Sequence, residues 1–260
     1  GAVDIQLAGT GVELHKTRVP GEVPIPQWLS GKANVVALDG LCWNLDAVKE
    51  LEAESHVEDV PDMLEDLWYA RPQIPMTPIT TLDVETFGGR PREEKISWLR
   101  KWMLLEGVDR VLLTSLDEIA WMLNVRGSDI EYNPLVISYL LISQDSVRWF
   151  VRKGVTDDPD TLDSFSELEM DDVAVDDYDA VFFGLSDFSE EQSPVTLFVD
   201  PSTLNHHLYS YIMDSYPSDR IVCGTSPVIL EKAVKTESEI ENLRQTYIDD
   251  GVAMECFLHW

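Results

Sequence analysis

Residues 114–142 read TSLDEIAWMLNVRGSDIEYNPLVISYLLI. Ser115 stands where a helix N-cap would, and Glu118 follows it at capping-box spacing. Ile119, Met122 and Leu123 then share one helical face. Arg126-Gly127-Ser128-Asp129 interrupts the pattern with a polar turn, and Asn133-Pro134 interrupts it again. Leu135 to Ile142 is a nearly continuous apolar run, too short to cross a membrane and suited to a strand buried on both faces. Val111 to Leu113, just upstream, reads as another short buried strand. The order strand, helix, polar loop, strand belongs to an α/β domain, and by itself it names no chemistry.

The flanking sequence extends this reading. Glu93 to Glu106 predicts an amphipathic helix with Ile96, Leu99 and Met103 in register and Gly107 in the C′ role. Ser143 to Ser146 turns into Val147–Val151, an antiparallel hairpin partner. Thr156 to Asp179 is strongly acidic and predicts a surface helix and loop. Val181 to Leu185 fits either a helical turn or a strand. Val195 to Asp200 predicts a strand, Ser202 to Met213 a helix and Arg220 to Gly224 a last short strand. Alternating elements with one hairpin imply a mixed sheet flanked by helices.

Residues 1–70 predict part of a smaller α/β domain. The alternation Ala-Val-Asp-Ile-Gln-Leu near the start suggests a strand, Gln27-Trp28-Leu29 a short helix, Val35–Leu38 a strand, and Asn44–Glu54 a helix carrying Leu45, Val48 and Leu51 on one face. Residues 71–80, with Pro72, Pro75 and Pro78, read as a linker between domains. The second domain is expected over 81–225. In 226–260, Thr236 and Glu239 form a second capping box, and Ile240, Leu243 and Tyr247 share a face.

Composition narrows the function classes. The net charge is −29, from 48 acidic against 19 basic residues. That balance argues against binding nucleic acid or an anionic membrane, both of which need clustered Lys and Arg. A solvated acidic surface is its simplest meaning. Cys42, Cys223 and Cys256 lack metal-ligand spacing and predict reduced, buried thiols in a cytoplasmic protein. The chain opens without an initiator Met, and its last helical pattern runs to Trp260 without a stop signal, so a longer parent is expected.

The quoted stretch is similar to the middle domain of the three-domain Xaa-Pro aminopeptidases (aminopeptidase P, peptidase family M24), whose version is close to DEIAW-x-x-N-x-RGSD-x-x-x-NP-x-x-x-SY. Asp117 to Trp121, Asn124, Arg126 to Asp129, Asn133, Pro134, Ser138 and Tyr139 all fall on it. Residues 9–29 resemble the later part of that family's first domain. Lys232, Ala233, Lys235, Glu239, Ile240, Arg244, Asp250, Gly251 and Ala253 match the helix leading into its catalytic domain, with Tyr247 where the family often has His. The chain is identified as a member on these residues. The resemblance implies the creatinase/prolidase N-terminal fold, a ribonuclease-H-like arrangement. It also implies a parent that removes the N-terminal residue from peptides with proline in second position. The parent's pita-bread domain would do this with two divalent metals, usually manganese, and members are commonly homodimers.

The metal ligands of that family lie downstream of the matched helix, so no catalytic or metal-binding residue, and no cofactor, is expected within this chain. Adjacent His206 and His207 cannot chelate as an i,i+4 pair would, and His15, His56 and His259 are isolated. Asp157-Asp158, Asp171-Asp172, Asp176-Asp177 and Asp249-Asp250 read as solvated acids rather than cation sites. Ser115 and Ser128 lack a nucleophile elbow. Trp121 and Tyr139 are expected in the core.

The RGSD loop is the one candidate for contact with chemistry. Structurally, Gly127 would supply an unusual backbone angle, and Asp129 would pair with Arg126 or bond local amides. Functionally, Arg126 and Asp129 are the substrate-cleft candidates, an unpaired guanidinium and carboxylate on a loop facing the catalytic domain. The expected function is therefore the non-catalytic region of an Xaa-Pro aminopeptidase, inactive alone, supporting assembly and gating the cleft. The alternatives are a prolidase-type dipeptidase parent or a free-standing creatinase-N-like binding or oligomerisation domain.

Overall fold

The computed structural model describes residues 2–17, 19–72, 75–152, 159–170, 172–186 and 195–260. The described chain divides into two units, residues 1–68 with Asn205–His207, and residues 69–204 with 208–260.

The smaller unit holds α1 (Ala2–Leu7), α2 (Ile25–Ser30), β1 (Val35–Leu38), α3 (Leu45–Glu52) and β2 (His56–Asp59). The two strands pair in parallel, Val35 opposite His56. Helix α3 is capped by the Asn44 side chain, which accepts from the Ala47 amide, and it buries Leu45, Val48 and Leu51 as its spacing demands. Residues 2–7 are helical with none buried, not the expected strand. Six residues that alternate once or twice fit either period, and no sheet partner is present among the described residues to select the extended form.

The larger unit begins with β3 (Thr80–Thr81), α4 (Val84–Phe87), α5 (Arg92–Glu106), β4 (Arg110–Leu113), α6 (Leu116–Leu123), β5 (Val125–Arg126) and β6 (Ser138–Ser143). It continues with β7 (Val147–Val151), α7 (Pro159–Met170), β8 (Val173–Asp177), α8 (Val181–Ser186) and β9 (Leu197–Val199). Helix α9 (His206–Ser215), β10 (Ile221–Cys223), α10 (Pro227–Ala233) and α11 (Glu237–His259) complete the chain. Six strands form one sheet in the order β10-β9-β4-β6-β7-β8. Strand β6 is antiparallel to β4 and to β7, while the β10–β9, β9–β4 and β7–β8 pairs are parallel. The sheet is mixed and flanked by helices, as expected.

Every residue of β6 is buried. The pleat explains why a continuous apolar run was needed. Leu140 and Ile142 join Val111, Leu113, Trp149 and the α5 and α6 residues on one face. Tyr139 and Leu141 join Leu112, Phe150 and the α8 and α9 residues on the other. Gly107 ends α5 at φ 67°, its N–H bonding the Met103 carbonyl, in the left-handed cap the sequence called for.

Four further local expectations change. Val173–Asp177 is an edge strand parallel to β7, lodged in the acidic stretch expected to be helix and loop. Residues 156–158 and Asp171 of that stretch lie outside the described residues. Ser115 occupies the N-cap position of α6, but its hydroxyl donates to Asp117 Oδ1 and no side-chain cap forms. Arg126 belongs to β5, paired antiparallel with Thr80–Thr81, rather than to a free turn. All three cysteines are exposed, not buried. At α11 the Thr236–Glu239 capping box forms in both directions, and Leu243 and Tyr247 on its apolar stripe are exposed.

Candidate functional site

The loop after β5 is built around the Asp129 carboxylate. Its Oδ1 accepts from the Thr77 amide at 3.0 Å and the Thr77 hydroxyl at 2.8 Å, and its Oδ2 accepts from the Ile137 amide at 2.9 Å. The Thr77 hydroxyl accepts in turn from the Ser128 amide at 2.7 Å. A carboxylate accepting backbone N–H groups satisfies donors that would otherwise be orphaned at the loop base. Asp129 therefore ties the Pro-rich segment, the loop and the start of the β6 run together. Its expected bond to local amides is present.

Arg126 makes different bonds. Its guanidinium donates to the Ala120 carbonyl at 3.2 Å and the Val125 carbonyl at 2.8 Å, at the C-terminal end of α6. Burial lowers its pKa from the usual arginine value. Among the described residues no ion pair joins it to Asp129, so the expected unpaired guanidinium and carboxylate are two internally bonded groups. Gly127 has no left-handed φ. Its need is steric: a Cβ there would meet Val136 Cγ2 at 2.7 Å and the Leu135 carbonyl at 3.4 Å.

Sequence reasoning missed the cationic cluster beside Arg126. Lys95 on α5 is 1% exposed, and its ammonium donates to the Trp121 carbonyl and to Asn124 Oδ1. Arg90 faces the same Trp121 ring, with its guanidinium carbon 5.3 Å from the ring centre, and bonds Glu231 at 2.7 Å. Arg92 donates to the Leu123 carbonyl at 2.7 Å. Burial, then repulsion from Arg90 and Arg92, lowers Lys95 to about 7. The only sequence hint was a charged residue on the buried i,i+4 face of α5, between Arg92 and Leu99. Trp121 is half-buried against the core, and Tyr139 is buried and stacks on Tyr178 at 4.9 Å.

The other candidates stay apart. Within the smaller unit His207 Nδ1 lies 3.0 Å from Asp59 Oδ2. Asp176 bonds Arg148 at 2.9 Å, and Asp249 accepts from Gln245 at 2.9 Å. Asp157 and Asp158 are outside the described residues. Among the described residues no group of three or more His, Cys, Asp or Glu side chains is arranged to hold a metal ion.

Residues 70–239 match the creatinase/prolidase N-terminal domain profile. The chain belongs to that family. It is 29% identical over 264 residues to Xaa-Pro aminopeptidase 1 of Dictyostelium discoideum, covering 95% of this chain and 40% of that protein. It is 32% identical to mouse Xaa-Pro aminopeptidase 2, covering 86% of this chain and 34% of the relative. The crystal structure of X-prolyl aminopeptidase from Caenorhabditis elegans, described as a cytosolic enzyme with a di-nuclear active site, superposes with a TM-score of 0.82 at 26% identity. That match covers 95% of this chain and 41% of the C. elegans chain. This creatinase/prolidase N-terminal region thus spans about 40% of the length of the relatives it matches.

Proposed function

We propose that this chain is the non-catalytic N-terminal and middle region of a metal-dependent Xaa-Pro aminopeptidase. The observation that carries the reading is similarity along 95% of the chain to enzymes of that name, with the same fold in the C. elegans enzyme. In this reading residues 1–70 are part of a first creatinase-N-like domain and 71–80 the linker. Residues 81–225 are the second domain, and 226–260 lead towards a pita-bread domain. Two divalent metals, manganese in our reading, would be held by residues of that domain and not of this chain, and would supply Lewis-acid activation of water for peptide hydrolysis.

The role of this region is to support assembly, including a homodimer, and to gate the substrate cleft through the loop anchored by Asp129. Arg126 and Asp129 serve the cleft from behind, by holding the loop. A cytoplasmic location agrees with the C. elegans enzyme's description, and no described helix is long and apolar enough to cross a membrane.

The test is substrate choice by the full-length parent with manganese. Release of Arg from Arg-Pro-Pro but not from Arg-Ala-Pro is expected. Equal cleavage of both, or cleavage of Xaa-Pro dipeptides only, would overturn the reading.

A further inference from the structure

An open cavity of about 580 Å³ lies in the smaller unit, between residues 19–26 and one face of α3. Its first wall is stiff by sequence. Glu22 N–H bonds the Val19 carbonyl at 3.1 Å, closing a turn with Pro20 second and Gly21 third, and Gly21 has φ 91°. That is the type II pattern. Pro24, extended at φ −61° and ψ 152°, then leads into α2, with Pro26 in its first turn. Three prolines within residues 20–26 leave this wall few other conformations. The second wall is α3 with Trp43 just before it. Ala47, Glu50 and Leu51 stand at i, i+3 and i+4 and so share a face. Leu51 belongs to the buried core, and Ala47 contributes only a methyl group, so the space between the walls stays open. The Trp43 carbonyl accepts from the His206 amide at 2.8 Å, and its side chain packs against the Leu38, Val48 and Leu51 core.

The cavity presents an indole, aliphatic walls and two carboxylates, Glu22 on the first wall and Glu50 on the second. Both glutamates are exposed, and among the described residues neither carboxylate has a hydrogen bond or an ion pair. No Lys, Arg or His is among the described lining residues. On a chain of net charge −29 a lone surface carboxylate is ordinary. Here one stands on each side of an apolar cavity whose volume is that of a small-molecule site. An apolar body with a positive end suits it: the aliphatic walls and indole bury the body, while the indole face and the carboxylates favour the charge. An anion would meet two like charges. Amino acids and peptides fit poorly for the same reason, since their own carboxylate has no cation to face.

We propose that this cavity binds a small organic cation of the arylalkylammonium class, held between Glu22 and Glu50 with Trp43 beside it. Every residue of the site lies in the smaller unit, and the site does not depend on the aminopeptidase reading.

The experiment is calorimetric titration of phenethylammonium into this chain and into its full-length parent at neutral pH and physiological salt. Phenethyl alcohol and phenylacetate serve as the neutral and anionic controls. One phenethylammonium should bind per chain, about tenfold tighter than the alcohol, and phenylacetate should not bind. Glu22→Gln and Glu50→Gln should each weaken the ammonium about threefold without moving the melting temperature, because both side chains are exposed and unbonded. Ala47→Phe fills the cavity and should abolish binding of ammonium and alcohol alike. Should Ala47→Phe fail to fold, the double variant Glu22→Gln/Glu50→Gln decides. Equal affinity for ammonium and alcohol, or full affinity for the ammonium in the double variant, overturns the cation site. So does the absence of binding to the chain. Binding to the chain but not to the parent overturns it too, by showing that another part of the parent covers the cavity.

Discussion

The Lys95 ammonium lies 4.6 Å from the centre of the Trp121 ring and bonds the carbonyl of the same residue. Two favourable contacts, a ring face and the C-terminal end of α6, hold a cation that burial and its neighbours disfavour. Arg90, Arg92 and Arg126 all repel it, and Glu239 from α11 is the carboxylate that offsets them.

A pH dependence follows. Lys95 falls from 10.5 unfolded to about 7 folded. Between those values the unfolded chain binds the extra proton, so this group makes stability rise with pH from about 7 to about 10.5 and imposes its full cost below 7. Each tenfold loss of proton affinity on folding corresponds to about 1.4 kcal/mol. Urea midpoints of wild type and Lys95→Met across pH 6–10 should converge or cross as pH rises, with the Met variant showing the flatter profile. Parallel profiles would refute this.

Glu118 gives the opposite sign. It is 2% exposed and accepts from the Ser226 hydroxyl at 2.5 Å. Burial raises its pKa. The folded state then binds the extra proton above the unfolded value, and stability falls as pH climbs through the raised pKa. Glu118→Gln keeps an acceptor without the charge and should equal or exceed wild type at pH 7.5. Ser226→Ala removes the partner and the α10 cap and should cost about 1–3 kcal/mol by chemical denaturation.

Asp129→Asn tests the loop base. An amide offers one acceptor oxygen, so either the Thr77 donors or the Ile137 amide is left facing an NH2 group. A loss of about 1–3 kcal/mol is expected. Unchanged melting would mean that the carboxylate does not organise the loop.

Gly127→Ala should destabilise through crowding against Val136, not through backbone angle, by about 1–3 kcal/mol. Combining it with Val136→Ala should recover part of the loss, because the clashing methyl is gone. Simple additivity in the double variant would contradict the steric account.

What could be read in advance followed from strong local signals. The β4–α6–β6 succession rests on apolar runs that a two-faced sheet requires, and α5 ends where Gly107 lets it. Strand β8 was hidden because, of its own five residues, only Val173 and Val175 are buried, and it lies in an acidic stretch; its pairing with β7 comes from sheet topology. The capping box at Ser115 failed because Glu118 is drawn to Ser226, 108 residues away. For the same reason Thr77, which shares Asp129 across 52 residues, carried no sequence signal. Arg126 and Asp129 were found as residues, but their partners depended on where β3 and β6 bring the chain.

The central claim is that this region serves a peptidase whose chemistry lies elsewhere. The direct measurement is hydrolysis of Arg-Pro-Pro with manganese by the 260-residue chain beside its full-length parent. Turnover by the parent and none by the chain is the predicted result. Turnover by the chain, constant in specific activity through purification, would contradict it.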